Sequence, residues 1–229
     1  TAAADIDGNA VIGNIVMGSY LAGNDIVFEK AATIASASFD ASNDISLAAI
    51  GNIELVDAKA NDALSISATA IDGSTLISNN GDVTLTAVQI ADSTITAQAG
   101  SVNFDAGDLY NLTVSANADI DGTAVSGNIV GGSYIATDSI TFDNAAYIAS
   151  LGLDAGDDIT LVASGNVELV DAKANDALSI SAAAIDGSTL ISNHGDVTLN
   201  SQSDISNNTV LAANAATIDL DGDLNNNTV

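Results

Sequence analysis

The chain has 229 residues, with 30 acidic side chains against 3 lysines and 1 histidine, for a formal net charge of −27. Nothing in it neutralises a run of phosphates, which excludes nucleic-acid binding and disfavours docking on an anionic membrane. It has no cysteine, which removes disulfides and thiolate metal sites, and no run of about 18 apolar residues, so no membrane insertion is expected.

Read from the N-terminus, a polar residue followed by an aliphatic one recurs at a nearly fixed interval. The pairs are Asp5-Ile6, Asp25-Ile26, Asp44-Ile45, Ala63-Leu64, Asp82-Val83, Ser101-Val102, Asp119-Ile120, Ser139-Ile140, Asp158-Ile159, Ala177-Leu178, Asp196-Val197 and Thr217-Ile218. The steps between them are 20, 19, 19, 19, 19, 18, 20, 19, 19, 19 and 21 residues. Each pair opens a period-2 alternation, the mark of a half-buried strand. The fourth position of the coil is also aliphatic or aromatic (Phe28, Leu47, Ile66, Leu85, Phe104, Phe142, Leu161, Ile180, Leu199 and Leu220), except at Gly8 and Gly122. In the coil from Asp158 to Asp176, Val167, Leu169 and Val170 form a second inward cluster, and Gly, Asn and Asp supply the corners. Proline is absent, which suits uninterrupted ladders.

One short β-rich unit per period is the signature of a solenoid. The fold expected is all-β, a right-handed parallel β-helix (β-solenoid) of about 12 coils of about 19 residues. The right hand is expected because the strict six-residue motif of the left-handed hexapeptide helix is missing. Stacked at about 4.8 Å per coil, the chain makes a thin rod, in keeping with an aromatic content of only 3%.

A longer repeat lies over the short one. Residues 54–85 and 168–199 differ only at Thr69/Ala183 and Asn80/His194. ADIDGNAVIGNIVMGSY from Ala4 pairs with ADIDGTAVSGNIVGGSY from Ala118. Two units of six coils follow, 1–114 and 115–229, in one continuous rod. The phrases GDVTLTA, DISLAA and GNVELVDA resemble the repeats of filamentous haemagglutinin-type exoproteins and large bacterial adhesins. That resemblance implies a right-handed β-helix, secretion to the cell surface, and service as a shaft. The amino-terminal secretion domain of that family is not in this chain.

Chemistry-bearing residues are sparse. Outward carboxylates about 5 Å apart on neighbouring coils repel unless a cation or an amide intervenes. The segment Asn117-x-Asp119-x-Asp121-Gly122 partly matches the start of an EF-hand loop, so Asn117, Asp119 and Asp121 are the candidate Ca²⁺ ligands. The match fails at the twelfth position, where Asn128 replaces Glu, and unit 1 has Ala3 in place of Asn117. No other cofactor is expected. No enzyme is expected either: Lys30, Lys59 and Lys173 stand apart, coil lengths leave no loop to wall a cleft, and adjacent Asp157 and Asp158 on one strand would face opposite ways. His194 has no second His or Cys to share a metal. Tyr20 and Tyr134 are read as packing at a wider corner. The threonine pairs Thr84/Thr86 and Thr94/Thr96 are not continued by Ser65/Ser67 or Ser46/Ala48, which argues against an ice-binding ladder. Sequons at Asn111, Asn207 and Asn226 are ordinary in a chain rich in Asn and Thr.

Neither end shows a cap, so the expected partners are further coils, through head-to-tail self-association or covalent continuation. The function expected is a structural repeat of an extracellular fibre or surface-adhesin shaft. The alternatives are a glycan-binding or glycan-processing β-helix, with host or cell-surface glycans as partners, and a Ca²⁺-dependent matrix protein.

Overall fold

A computed structural model describes residues 2–8 and 12–229. Residues 9–11, part of the first copy of the ADIDG repeat, lie outside them. The described residues contain strands, turns and bends and no helix. They form one 28-stranded sheet in which the strand pairings are parallel and join successive coils. The fold is a parallel β-solenoid.

Each coil has three faces. The first-face rungs begin at Ile6 and continue through Ile26, Ile45, Leu64, Val83, Val102, Ile120, Ile140, Ile159, Leu178, Val197 and Ala216. Those twelve rungs bound eleven turns, and 216 − 6 = 210 residues over eleven turns is about 19 per turn. At about 4.8 Å per turn the stack is about 53 Å long. The second face stacks Ile15, Ile34, Ile53, Ile71, Ile90 and Leu109, then Ile129, Ile148, Val167, Ile185, Ile205 and Leu224. The third face ends on a column of small residues, Ala22, Ala41, Ala60, Ser78, Ala97 and Ala116, all buried at the corner. Almost every aliphatic rung of the interior is fully buried, each side chain contributing about 1.5–3 kcal/mol of transfer free energy.

The last coil departs from the register expected of it. Val197 pairs with Ala216 and Leu199 with Ile218, so the last step is 19 residues and the inward second position is Ala216 rather than Ile218. Asp196 Oδ1 holds that register by accepting the Ala215 N–H at 3.0 Å.

Gly8 and Gly122, the two breaks in the fourth-position ladder, have a steric cause. A Cβ on Gly122 would lie 2.2 Å from Phe142 Cδ1, and one on Gly8 would lie 2.0 Å from Phe28 Cδ1. The phenyl ring of the next coil already fills the space of the missing side chain. Tyr134 packs edge-on to Phe142, with ring centroids 5.4 Å apart, and Tyr20 contacts both Phe28 and Phe39. Tyr134 is fully buried and Tyr20 half-buried, so the tyrosines are indeed packing residues.

One corner of every coil is left-handed. Met17, Ser36, Leu55, Gly73, Asp92, Asn111, Gly131, Ser150, Leu169, Gly187, Asn207 and Asn226 all have φ between 47° and 70°. Leu169 therefore points outward, 62% exposed, and is not part of the inward cluster with Val167 and Val170. Its δ-carbon leans over Gly187, as that of Leu55 leans over Gly73. The 114/115 boundary falls inside the strand Val102–Ala116. The two units are thus repeats of sequence within one unbroken stack and one core.

Candidate functional site

The corner that opens the first face carries a recurring carboxylate. Asp5, Asp25, Asp44, Asp82, Asp119, Asp158 and Asp196 each accept, through Oδ1, the backbone N–H of the equivalent residue one coil on, at 2.8–3.4 Å. Ser101 and Ser139 do the same through Oγ at 3.4 Å. From Asp44 onward this column alternates Asp with Ala or Ser as far as Ala215. Its carboxylates are then about 9.6 Å apart, close to a Debye length at physiological salt. The repulsion expected between neighbouring coils is confined in this column to Asp5, Asp25 and Asp44.

The EF-hand-like residues are parted by this arrangement. Asp119 and Asp121 border one shallow groove of about 280 Å³, together with Ser101, Asn103, Thr123 and Thr141. Asn117 does not line that groove; its Oδ1 accepts from Thr137 Oγ1 at 3.2 Å. Asp119 Oδ1 accepts the Ser139 N–H at 3.0 Å, and Asp121 Oδ1 accepts the Thr123 N–H at 2.8 Å. Each candidate ligand thus has one oxygen already committed, Asp119 and Asp121 to the backbone and Asn117 to a threonine hydroxyl.

The densest carboxylate group lies elsewhere. Oxygens of Asp157, Asp158 and Asp176 come within 4.8 Å of one another, and all three residues are exposed. Asp157 and Asp158 precede the strand Ile159–Ala163, so the alternation that would part them on a strand does not apply. Asp158 Oδ1 is bound to the Ala177 N–H at 2.8 Å. Ca²⁺ requires six to eight oxygens, and this corner offers three carboxylates. Unit 1 has Asn43, Asp44 and Asp62 at the same places.

On the second face, Glu168 accepts from Asn166 Nδ2 and from Tyr147 Oη, each at 2.8 Å. The Asn166 bond, followed by the Tyr147 bond, holds the Glu168 carboxyl below the usual carboxylate range. The same Glu168 hydrogen bond, then burial, pushes the Tyr147 phenol up. In unit 1 Asn52 and Glu54 keep their bond at 2.8 Å, but Thr33 stands where Tyr147 does. A polar groove of about 340 Å³ opens there, beside Asp72, Gln89 and Asp92. His194 is exposed, with Nδ1 at 3.0 Å from Asn175 Oδ1.

The third face was the least legible in the sequence. Lys59 and Lys173 do not stand apart: Lys59 lies in register between Asp40 and Ile77, and Lys173 between Asp154 and Ile191. Each block borders a shallow groove, of about 250 Å³ in unit 1 and about 310 Å³ in unit 2. Thr94 belongs to this face, stacked between Thr75 and Thr113, whereas Thr84 is on the first face with Ser65. A column of three threonines therefore exists in each unit, the second being Thr189, Thr209 and Thr228. In the first it ends at Ser133 and Gly152.

No protein family, no curated protein and no solved structure matches the chain. Its class rests on the fold: a parallel β-solenoid of tandem repeats.

Proposed function

We propose that the chain is a structural repeat of an extracellular fibre or giant surface-adhesin shaft, wound right-handed, non-catalytic and extended by the stacking of further coils. The observation that carries this reading is the passage from unit 1 to unit 2. Ladder, core and corner caps cross the boundary without a gap, through Val102–Ala116 and the Asp119 N–H donated to Ser101 Oγ. A unit that adds to a copy of itself in this way can be added again. First-face steps stay between 18 and 20 residues, so no coil expands into a loop that would wall a cleft. The likeness of the coil phrases to haemagglutinin-type exoproteins points the same way. In this reading the ladder hydrogen bonds and stacked aliphatic core give stiffness, and the acidic surface keeps the fibre hydrated and apart from anionic neighbours.

Electron micrographs of the native material test the proposal. Unbranched filaments many times longer than about 53 Å are the expected result. Discrete particles one chain long, with cleavage of a glycan, would overturn it.

A further inference from the structure

The third face differs from the rest of the rod in charge. Its two outward columns hold four acidic residues, Asp40, Asp57, Asp154 and Asp171, and two lysines, for 2 − 4 = −2 out of a chain total of −27. It also exposes aliphatic side chains: Leu21 at 43%, Ile135 at 51% and Leu211 at 51%. The face is built of short parallel strands in continuous register, and none of the described residues covers it.

The order of residues along one of those columns is informative. Coil by coil it reads Leu21, Asp40, Lys59, Ile77, Thr96, Ser115, Ile135, Asp154, Lys173, Ile191. Placed against its own reverse, this column matches itself over these ten levels, with Leu211 one level beyond the overlap. Leu21 meets Ile191, Asp40 meets Lys173, Lys59 meets Asp154, Ile77 meets Ile135, and Thr96 meets Ser115. The cause is the fourfold block aliphatic-Asp-Lys-aliphatic, present once per unit, which is complementary to itself only when one copy runs backwards. A parallel two-fold pairing instead places this column against its neighbour, setting Ile77 against Thr75 and Asp40 against Ser38. An antiparallel pairing centred on the Ser115 coil sets Lys59 against Lys173, and one centred on the Thr96 coil sets Asp40 against Asp154.

The geometry points to a second copy of the rod as the partner of this face, antiparallel and two-fold related, with the axis between the levels of Thr96 and Ser115. Two-fold pairing repeats every contact, giving four Asp–Lys pairs flanked by aliphatic contacts. Ten levels at about 4.8 Å and a face about 10–12 Å wide bury about 500 Å² per rod, or about 1,000 Å² in all. That lies at the threshold for a specific interface, so the pair is weak and reversible. The remaining charge of each rod repels its partner, so added monovalent salt strengthens the pairing until the Asp–Lys bonds are themselves screened. This pairing is sideways, and it stands whether or not the shaft reading holds.

Sedimentation of the 229-residue chain at 0.02–1 mM in low and moderate salt tests it. A rise in mass from 22.7 kDa toward twice that value is expected. Lys59→Asp with Lys173→Asp should abolish the rise. Adding Asp40→Lys and Asp154→Lys should restore it, because the reversed block is again self-complementary. The chain has no cysteine of its own, so an equimolar mixture of Ile77→Cys and Ile135→Cys rods should form a mixed disulfide dimer on oxidation. Neither variant alone should do so. A mass that stays monomeric at every salt concentration, a dimer indifferent to the Lys→Asp pair, or an Ile77→Cys rod that cross-links to itself would each overturn the proposal. End-on stacking appears as long linear species that survive the Lys→Asp changes, which separates its fate from that of the lateral pair.

Discussion

Gly122→Ala tests the packing that sets the unit boundary. The new methyl would stand 2.2 Å from Phe142 Cδ1 and 2.3 Å from Cε1, well over 1 Å inside ordinary carbon–carbon contact of about 3.5 Å. The ring cannot step aside, because Phe142 is fully buried and braced by Tyr134 at 5.4 Å. The cost should be about 3 kcal/mol, the upper end for overpacking in a tight core. Phe142→Leu alone should cost about 1–2 kcal/mol by leaving a cavity. Leu is already the residue one coil further on, at Leu161, so the double variant should cost little more than Phe142→Leu itself. The coupling between the two sites is then nearly the whole cost of Gly122→Ala, about 3 kcal/mol. Urea unfolding followed by circular dichroism gives the totals. Amide exchange at Ile120 and Ile140 localises the effect, since a stacked repeat need not unfold in one step. Strictly additive costs would show that the ring and the glycine do not share one space.

Other expectations follow from single side chains. Among the described residues the Tyr134 hydroxyl is buried without a hydrogen-bond partner, so Tyr134→Phe should stabilise by about 1–2 kcal/mol; a loss of stability in urea would reveal a partner. Burial also pushes that phenol up. Its contribution is complete below the ordinary phenol pKa of about 10 and is lost as pH rises through the folded value, so Tyr134→Phe should flatten the alkaline fall in stability. On the acid side, Glu168 is held down, so its contribution is present above the ordinary carboxylate range and is lost as pH falls through the folded value. Tyr147→Phe should move the Glu168 carboxyl titration, followed by NMR, upward; an unmoved curve would remove Tyr147 as a cause. Leu169→Gly should gain about 1 kcal/mol by relieving a left-handed leucine, and a lower melting temperature would mean that its contact with Gly187 outweighs the strain.

The strands of this fold were legible because their signal is local. Ile26, Val83 and Ile159 alternate with polar neighbours along a single coil, and the period of their recurrence shows the stack. What crosses coils was harder to read. The gap at Gly122 is filled by Phe142, 20 residues away, and only the stacking direction reveals that the two compensate. Leu169 has the composition of a core residue, but a left-handed corner turns it outward, and Gly187 at the same corner one coil later was the available sign. At the end of the chain Thr217-Ile218 imitates the opening pair of a coil, while the corner bond to Ala215 sets the actual register. Of the candidate ligands, Asp119 and Asp121 share a groove and Asn117 does not. The carboxylates that do converge, Asp157, Asp158 and Asp176, come from two coils. The Asp–Lys blocks appear only when residues 19 and 18 apart are read down a column, as Asp40, Lys59 and Ile77 are.

The acidic corners also make the rod a polyelectrolyte. A charge of −27 over about 53 Å is one charge per about 2 Å of axis, close to the one per about 1.7 Å of duplex DNA. At that linear density counterions condense along the whole length and remain mobile. A divalent ion then lowers the self-repulsion of the rod without being coordinated anywhere. Ca²⁺ and Mg²⁺ should raise the melting temperature alike, and far more monovalent salt should reproduce the effect. The rod would thus sense the ionic strength around it through its length, as a nucleic acid does.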